Sequence, residues 1–511
     1  MGIRIWAFVA AIWMLGIVPA TARAEWRVAE TAHFKIYSGG SEDELQRQAE
    51  RMEAVHYLLK ISTGLTQVAA APKLRVFYVD SQSDVLKAYG AGPNSNVAGF
   101  YSPRVEGAIA VVPRNYDGGL SPNVILFHEY THHFMLQYQP VAYPPWYVEG
   151  FAELLSTASF ERKGQITFGK AASHRQGELQ NSKWIPLEKL FARPNGDKND
   201  VDQLETSFYG QSWLLTHYLT LSDKRPGQLR AYINAINMGK TDAEAFQVFG
   251  PDLKALQREA KIYLEGGSFP FKAPPLPPEV MKVDSIRLLS AAEEALIPEV
   301  LKAHRGLGKD DQAKLIARIE AIAVRYPADA APKMLLAEEY YDTENYAAAE
   351  KNAAAVLASN PASGRAMAIQ AMSALHILAQ SDAADADKSR RALALRSQLN
   401  KAKALDPFDA VPLVFFHQSF GVMGKAAPDI AVDGLKTAVA LTPQGASMRF
   451  ELADELLKRD DKAGAMAVLR PLAFAAHRSG GQKYARTLFE WLAAGGEGSK
   501  PEYASDKDSD A

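Results

Sequence analysis

The chain has 511 residues, 57 Lys plus Arg against 59 Asp plus Glu, a formal net charge of −2, 47% hydrophobic residues and no cysteine. That length leaves room for two or three separately cored units of roughly 100 to 200 residues each, and the balanced charge excludes both the basic footprint of a dedicated nucleic-acid binder and the acidity of a disordered protein. Without cysteine there is no disulfide framework, thiolate zinc ribbon, iron–sulfur cluster or thiol nucleophile, so any metal must be held by His and carboxylate.

Arg4, the apolar run Ile5 to Val18 and the small-x-small pattern Ala22-Arg23-Ala24 read as an export signal over residues 1–24. The mature chain is expected to start at Glu25 and to act outside the cytoplasm, in the periplasm or beyond. The apolar run is shorter than the roughly 20 residues that span a bilayer, and no other stretch approaches that length, so no transmembrane segment is expected in the mature chain.

Residues 25–120 have a mixed pattern. His33 to Ser38 and Leu74 to Asp80 read as strands. Between them a capping box, Ser41 with Glu44, opens a helix carrying Leu45, Ala49, Met52, Leu58 and Leu59. Val97 to Tyr101 and Ala108 to Val112 read as a strand pair, giving a small α+β unit. Residues 121–265 are expected to be mainly helical. Ser121-Pro122 is a helix start and Pro140 closes the segment, so a helix should run from about Asn123 to Tyr138. A second begins after the Pro144-Pro145-Trp146 turn and runs to about Phe160, with further helices over Tyr209 to Leu221 and Asp242 to Leu264. Residues 266–280 are proline-rich and read as a linker.

Residues 281–494 are Ala- and Leu-rich and repeat. Tyr326-Pro327, Asn360-Pro361, Asp406-Pro407 and Thr442-Pro443 mark helix ends, the first two separated by the 34 residues of a tetratricopeptide repeat. Leu336, Ala337, Tyr340, Ala349 and Val356 fall on the packing positions of one repeat, and Leu452, Ala453, Leu456, Ala465 and Leu469 on those of another. An insertion around Gln380 to Ser389 accounts for the longer interval. The expected architecture is an all-α tetratricopeptide-like solenoid that binds a protein partner, followed by a disordered tail over 495–511.

His128-Glu129-Tyr130-Thr131-His132 is an H-E-x-x-H motif inside the helix already argued from its start and stop signals. Four residues apart on a helix, two imidazoles share a face and can bind one metal ion, with the intervening glutamate beside them to act on a water. Glu149-Gly150-Phe151-Ala152-Glu153 starts the following helix.

With Glu149 and Glu153 downstream of the His128 to His132 motif, the sequence resembles the gluzincins, thermolysin-like and aminopeptidase-like zinc metallopeptidases. The run Trp146 to Glu153 resembles their exported bacterial peptidase MA-like branch. The resemblance implies an α+β zincin-like domain over roughly Trp26 to Leu264, zinc on His128, His132 and Glu149, Glu129 as general base, and Glu153 orienting a ligand histidine from behind. Glu153 stands where the thermolysin pattern has aspartate. Three protein ligands leave a fourth position open, the mark of a catalytic rather than a structural zinc. Peptide or protein is the implied substrate. Tyr209 is the candidate donor to the oxyanion, because a phenol opening a helix after a long loop can reach across a cleft. In the resembling fold the strand before the zinc helix is an edge that pairs with extended peptide, which makes Ala108 to Ala110 candidate substrate contacts. His133 points about 100° away from His132 and reads as packing. His217 reads as a core histidine, and His33, His56, His174, His304, His376, His417 and His477 show no ligand spacing. The rival reading is an assembly scaffold that acts through its repeats and whose zinc site is structural or vestigial.

Overall fold

Two runs without polar alternation, Val76 to Val79 and Ile109 to Val112, lie in the interior of one sheet, which explains why both of their faces are apolar. The computed structural model describes residues 25–502 apart from 66–70, 94, 96, 117, 162–163, 182, 192–206 and 476–479. The expected export signal (1–24) and the last part of the expected tail (503–511) lie outside the described residues.

The chain opens with β1 (Arg27–Thr31), β2 (Phe34–Ser38), α1 (Glu42–Ser62), β3 (Leu74–Ser81), α2 (Gln82–Tyr89), β4 (Phe100–Ser102) and β5 (Ile109–Asn115). Then come α3 (Pro122–Tyr138), α4 (Pro145–Ser156), the hairpin β6 (Ser159–Glu161) and β7 (Gln165–Thr167), α5 (Gln176–Asn181), α6 (Leu187–Phe191) and α7 (Phe208–Leu221). A final strand, β8 (Val283–Leu288), completes a six-stranded sheet of order β4-β5-β3-β2-β1-β8. Strands β2, β3 and β5 are parallel, and β1, β4 and β8 join antiparallel. The two-residue period of a strand sends Val76, Tyr78, Ala110 and Val112 into the core shared with Leu45, Met52, Leu126 and Phe134 of α1 and α3. It sends Phe77, Val79, Ile109 and Val111 to the opposite face, against Val85 of α2 and Ile297 and Leu301 of the helix Ala291–Ala303.

Two expectations are corrected here. Residues 266–280 are not a free linker. Proline has no N–H but keeps its carbonyl, and Pro274 O accepts from Ile166 N at 3.2 Å, while Phe168 and Lys272 exchange two bonds of 3.0 Å. The boundary expected at 281 falls instead after β8, which belongs to the sheet. The helix expected over Asp242 to Leu264 is broken into Asp242–Phe246 and Leu253–Glu265, because Gly250 takes φ 100° and Pro251 follows it.

Beyond β8 the chain is a solenoid of successive helices, from Ala291–Ala303 to Gly480–Ala493. Tyr326, Asn360, Asp406 and Thr442 each cap a helix C-terminus. Leu336, Ala337, Ala349, Val356, Leu452, Ala453, Leu456, Ala465 and Leu469 are buried, and Tyr340 partly so. The long interval reflects two long helices, Gly364–Gln380 and Asp385–Leu405. Residues 495–502 fold back on the last helix, with Trp491 Nε1 donating to Glu497 O at 2.9 Å and Tyr484 Oη to Pro501 O at 3.3 Å, so the tail is not loose from 495. Among the described residues no helix is long and apolar enough to cross a membrane.

Solenoid and sheet unit are joined by more than the chain. Val105, in the β4–β5 connection, packs against two of the solenoid's apolar clusters. Ser102 Oγ donates to His304 O at 2.9 Å, Arg104 Nε to His304 O at 3.1 Å and Gln137 Nε2, near the end of α3, to Leu441 O at 2.8 Å. A chain ending at residue 280 loses β8 and uncovers the Phe77, Ile109 and Val111 face. It is expected to show no cooperative melting transition by circular dichroism, whereas a cooperatively melting fragment would contradict this packing.

Glu339, 6% exposed in the helix Ala331–Asp342, has its carboxyl pushed by burial, with help from Asp342, up to about 7 from an ordinary 4.5. Folding therefore takes up a proton, and this position costs stability progressively as pH rises from 4.5 through about 7. Glu339→Gln is expected to raise the melting temperature by a few degrees at about pH 8 and to leave it unchanged at about pH 4. Equal shifts at both pH values would sink the assignment.

Candidate metal centre

Ser121 Oγ accepts from Asn123 N at 3.3 Å and Pro122 occupies the first turn, so α3 starts where the sequence places it. From there the 3.6-residue repeat brings His128 and His132 to one face, their Nε2 atoms 3.0 Å apart. The Pro144-Pro145 turn starts α4, which packs on α3 and delivers Glu149. Its Oε2 lies 3.3 Å from His128 Nε2 and 3.5 Å from His132 Nε2. A tetrahedral zinc with bonds of ~2.0–2.1 Å has ligand–ligand edges of about 3.3–3.4 Å, close to this triangle. The donor set, two imidazoles and one carboxylate, also suits zinc. The three side chains fit the ion that the motif implies.

One turn further along α4, Glu153 is 1% exposed. Its Oε1 lies 3.3 Å from His128 Nδ1 and 2.6 Å from Arg175 Nη2, and its Oε2 lies 2.7 Å from His174 Nε2. Burial alone would raise this carboxyl, but hydrogen bonds from His128 and His174, with Arg175, hold it far below the usual carboxylate range. The contact places the Nδ1 proton of His128 toward Glu153 and turns Nε2 toward Glu149 and His132. Burial would lower the His128 pKa. The carboxylates of Glu149 and Glu153 overcome it and push His128 up to about 10, a measure of how strongly this pocket favours positive charge.

Tyr209, at the start of α7, is at the site, its ring centroid 6.5 Å from that of His128. The charge of Glu149, then burial, pushes its phenol up, so it remains a donor. Its ring lies under the Arg175 guanidinium at 4.7 Å. Arg175 Nη1 also donates to Glu178 Oε1 at 2.8 Å, and Glu178 Oε2 accepts from Gly210 N at 2.8 Å, satisfying an N–H in the first turn of α7. Helix α7 lies directly on α4 because residue 150 is glycine: a Cβ there would sit 2.2 Å from Ser212 O and from Thr216 Oγ1. Glu129 is half-buried on α3 between the two histidines, near enough for its charge to act on Tyr209.

His174, Arg175 and Glu178 were not found by sequence reasoning. They lie on a short 3-10 turn and on α5, more than 20 residues from Glu153, with no ligand spacing to mark them. Ala108 to Ala110 are corrected. Strand β5 is interior, paired with β3 and β4, so the free edge is β4 and the expected substrate contacts at 108–110 are buried. His133 packs away from the triad with Nδ1 3.0 Å from Tyr101 Oη. His217 is a core residue, Nε2 2.7 Å from Gly169 O and Nδ1 2.9 Å from Tyr263 Oη.

No protein-family model matches the chain, and no curated protein matches its sequence. Among solved structures it is similar to a thermophilic TPR protein of Thermus thermophilus, at 17% identity and TM-score 0.33 over 40% of this chain and 100% of that one. It is also similar to yeast Tom70, at 13% identity and TM-score 0.28 over 89% of this chain and 88% of that one. Likenesses this weak carry no argument about the site.

Glu153→Gln keeps the shape of the buried side chain and removes the charge shared by His128, His174 and Arg175. Zinc affinity, measured by competition with a chelator, is expected to fall about 10- to 100-fold. Unchanged affinity would contradict the orienting role of Glu153.

Proposed function

We propose that the protein is an exported zinc metallopeptidase of the gluzincin kind, with a zincin-like catalytic unit braced by its solenoid. The observation that carries the reading is the buried convergence of His128, His132 and Glu149 beside an otherwise unneeded carboxylate, Glu129. A purely structural metal site has no use for a base between its histidines.

His128, His132 and Glu149 would hold zinc, which supplies Lewis acidity at a substrate carbonyl and makes water a nucleophile near neutral pH. Glu129 takes the proton of the attacking water and passes it to the amide nitrogen as the C–N bond breaks, leaving a carboxylate and an amine. Tyr209, kept protonated beside Glu149, donates to the oxyanion as it develops. Glu153, clamped by His174 and Arg175, holds His128 in the tautomer that presents Nε2. The side chains that act on the reacting atoms thus come from α3, α4 and α7.

The alternative, a periplasmic assembly scaffold with a structural or vestigial zinc site, is favoured by the extent of the solenoid and by apolar side chains exposed on it, Val324 at 81%, Leu393 at 70% and Ile430 at 71%. On either reading those repeats would offer a surface to a protein partner.

Glu129→Gln separates the two readings. On an unbiased peptide library, hydrolysis is expected to fall by about two to four orders of magnitude while bound zinc stays unchanged. Tyr209→Phe should lower kcat about 100-fold with little change in KM. Wild-type protein that cleaves nothing, or a Glu129→Gln protein that cleaves as well as wild type, would favour the scaffold.

A further inference from the structure

A cavity of about 110 Å³ lies where the sheet unit meets the solenoid, away from the metal centre. It is not enclosed: Asp342, one of its lining residues, is exposed to solvent, so a ligand can extend out of it. Strand β3 contributes Arg75 and the β4–β5 connection contributes Arg104 and Glu106, while the helix Ala331–Asp342 contributes Glu338, Glu339 and Asp342. Leu335, Ile369, Val411, Val414 and Phe415, all buried, form an apolar wall.

The charges lining this cavity do not cancel in pairs. Arg365 is held by Glu338 at 3.1 Å and by Asp409 at 2.7 Å. Arg75 has neutral partners, Gly107 O at 3.3 Å and His304 Nε2 at 2.5 Å. His304 acts as an acceptor there because its Nδ1 bonds to Val300 O at 2.9 Å, and burial with the adjacent Arg75 charge keeps its ring neutral. Arg104 likewise has neutral partners, Nε donating to His304 O at 3.1 Å and Nη2 to Ala303 O at 3.4 Å. Among the described residues neither guanidinium forms an ion pair, and no cation comes within ion-pair distance of Glu339 or Asp342. Burial lowers Arg75 and raises Glu339 to about 7, and partial burial with the Glu106 and Glu338 charges raises Asp342 to about 6, shifts that the more distant opposite charges, Arg104 for the carboxyls and Glu338 for Arg75, only partly offset.

A lone anion drawn to Arg75 and Arg104 would face the carboxylates, and a lone cation drawn to the carboxylates would face the guanidiniums. A ligand carrying both charges satisfies both groups. We propose that this cavity binds a small zwitterion, an aliphatic α-amino acid or dipeptide, with its carboxylate toward Arg75 and Arg104, its ammonium toward Glu339 and Asp342, and its side chain on the Leu335–Phe415 wall. The assignment is independent of the peptidase reading.

Calorimetric titration of the full chain tests it, using the Glu129→Gln protein so that no probe is consumed. The probes are L-leucine, glycyl-L-leucine, isovalerate, isoamylamine and N-acetyl-L-leucine methylamide. At least one of the two zwitterions is expected to saturate a single site and to bind at least about tenfold more tightly than each probe lacking one or both charges, and the stronger of the two identifies the ligand's length. Asp342→Asn, at an exposed position, and Arg75→Gln should each weaken that binding about tenfold, which binding at the metal centre would not show. The assignment is overturned if neither zwitterion saturates, if a probe lacking either charge binds as tightly, or if Asp342→Asn leaves the affinity unchanged.

Discussion

Two carboxylates one helical turn apart on α4, Glu149 and Glu153, are 4% and 1% exposed, and the neighbouring structure answers their charge. An ionised carboxylate held away from water costs several kcal/mol unless cations and hydrogen bonds replace the solvent. Glu153 receives that compensation from His128, His174 and Arg175. Glu149 faces, among its neighbours, two imidazole nitrogens whose spacing is close to the edges of a zinc tetrahedron. The pair therefore requires positive charge in the middle of a helical layer, and the histidines of α3 lie where a metal ion can supply it.

That requirement also orders the elements around it. Gly150, between the two carboxylates, admits α7 to direct backbone contact with α4 and so brings Tyr209 beside His128. Arg175 bridges both helices, bonding to Glu153 on α4 and to Glu178, which in turn holds Gly210 at the start of α7. Substitutions at Gly150 or Arg175 thus act on the site through packing and orientation rather than through loss of a ligand.

Sequence legibility followed the range of the interaction. His128, Glu129 and His132 were readable because helix periodicity alone aligns them, and Ser121-Pro122 announces the helix that carries them. The solenoid caps at Tyr326, Asn360, Asp406 and Thr442 were readable for the same reason, since each lies next to the proline that stops its helix. Contacts closed over long distances left no local pattern. Strand β8 pairs with β1 across more than 250 residues, and it is mostly exposed with no two-residue alternation, directly after a proline-rich run that looked like a tether. Strand β5 looked like an edge because it precedes the metal helix, yet β4 folds back outside it. His174 and Arg175 reach Glu153 from a short turn whose sequence carries no periodicity at all.

The solenoid is structurally continuous with the unit that carries the candidate metal ligands. Helix Ala291–Ala303 covers one face of the sheet, and Gln137, on the same helix as His128 and His132, donates to Leu441 O in the solenoid. The central claim nevertheless rests on three side chains, and it is tested most directly by the metal content of the purified full-length protein and of its Glu149→Ala variant. One zinc per wild-type chain, with most of it lost from the variant, is the predicted result. A wild-type chain without stoichiometric zinc, or a variant that retains it, would contradict the account.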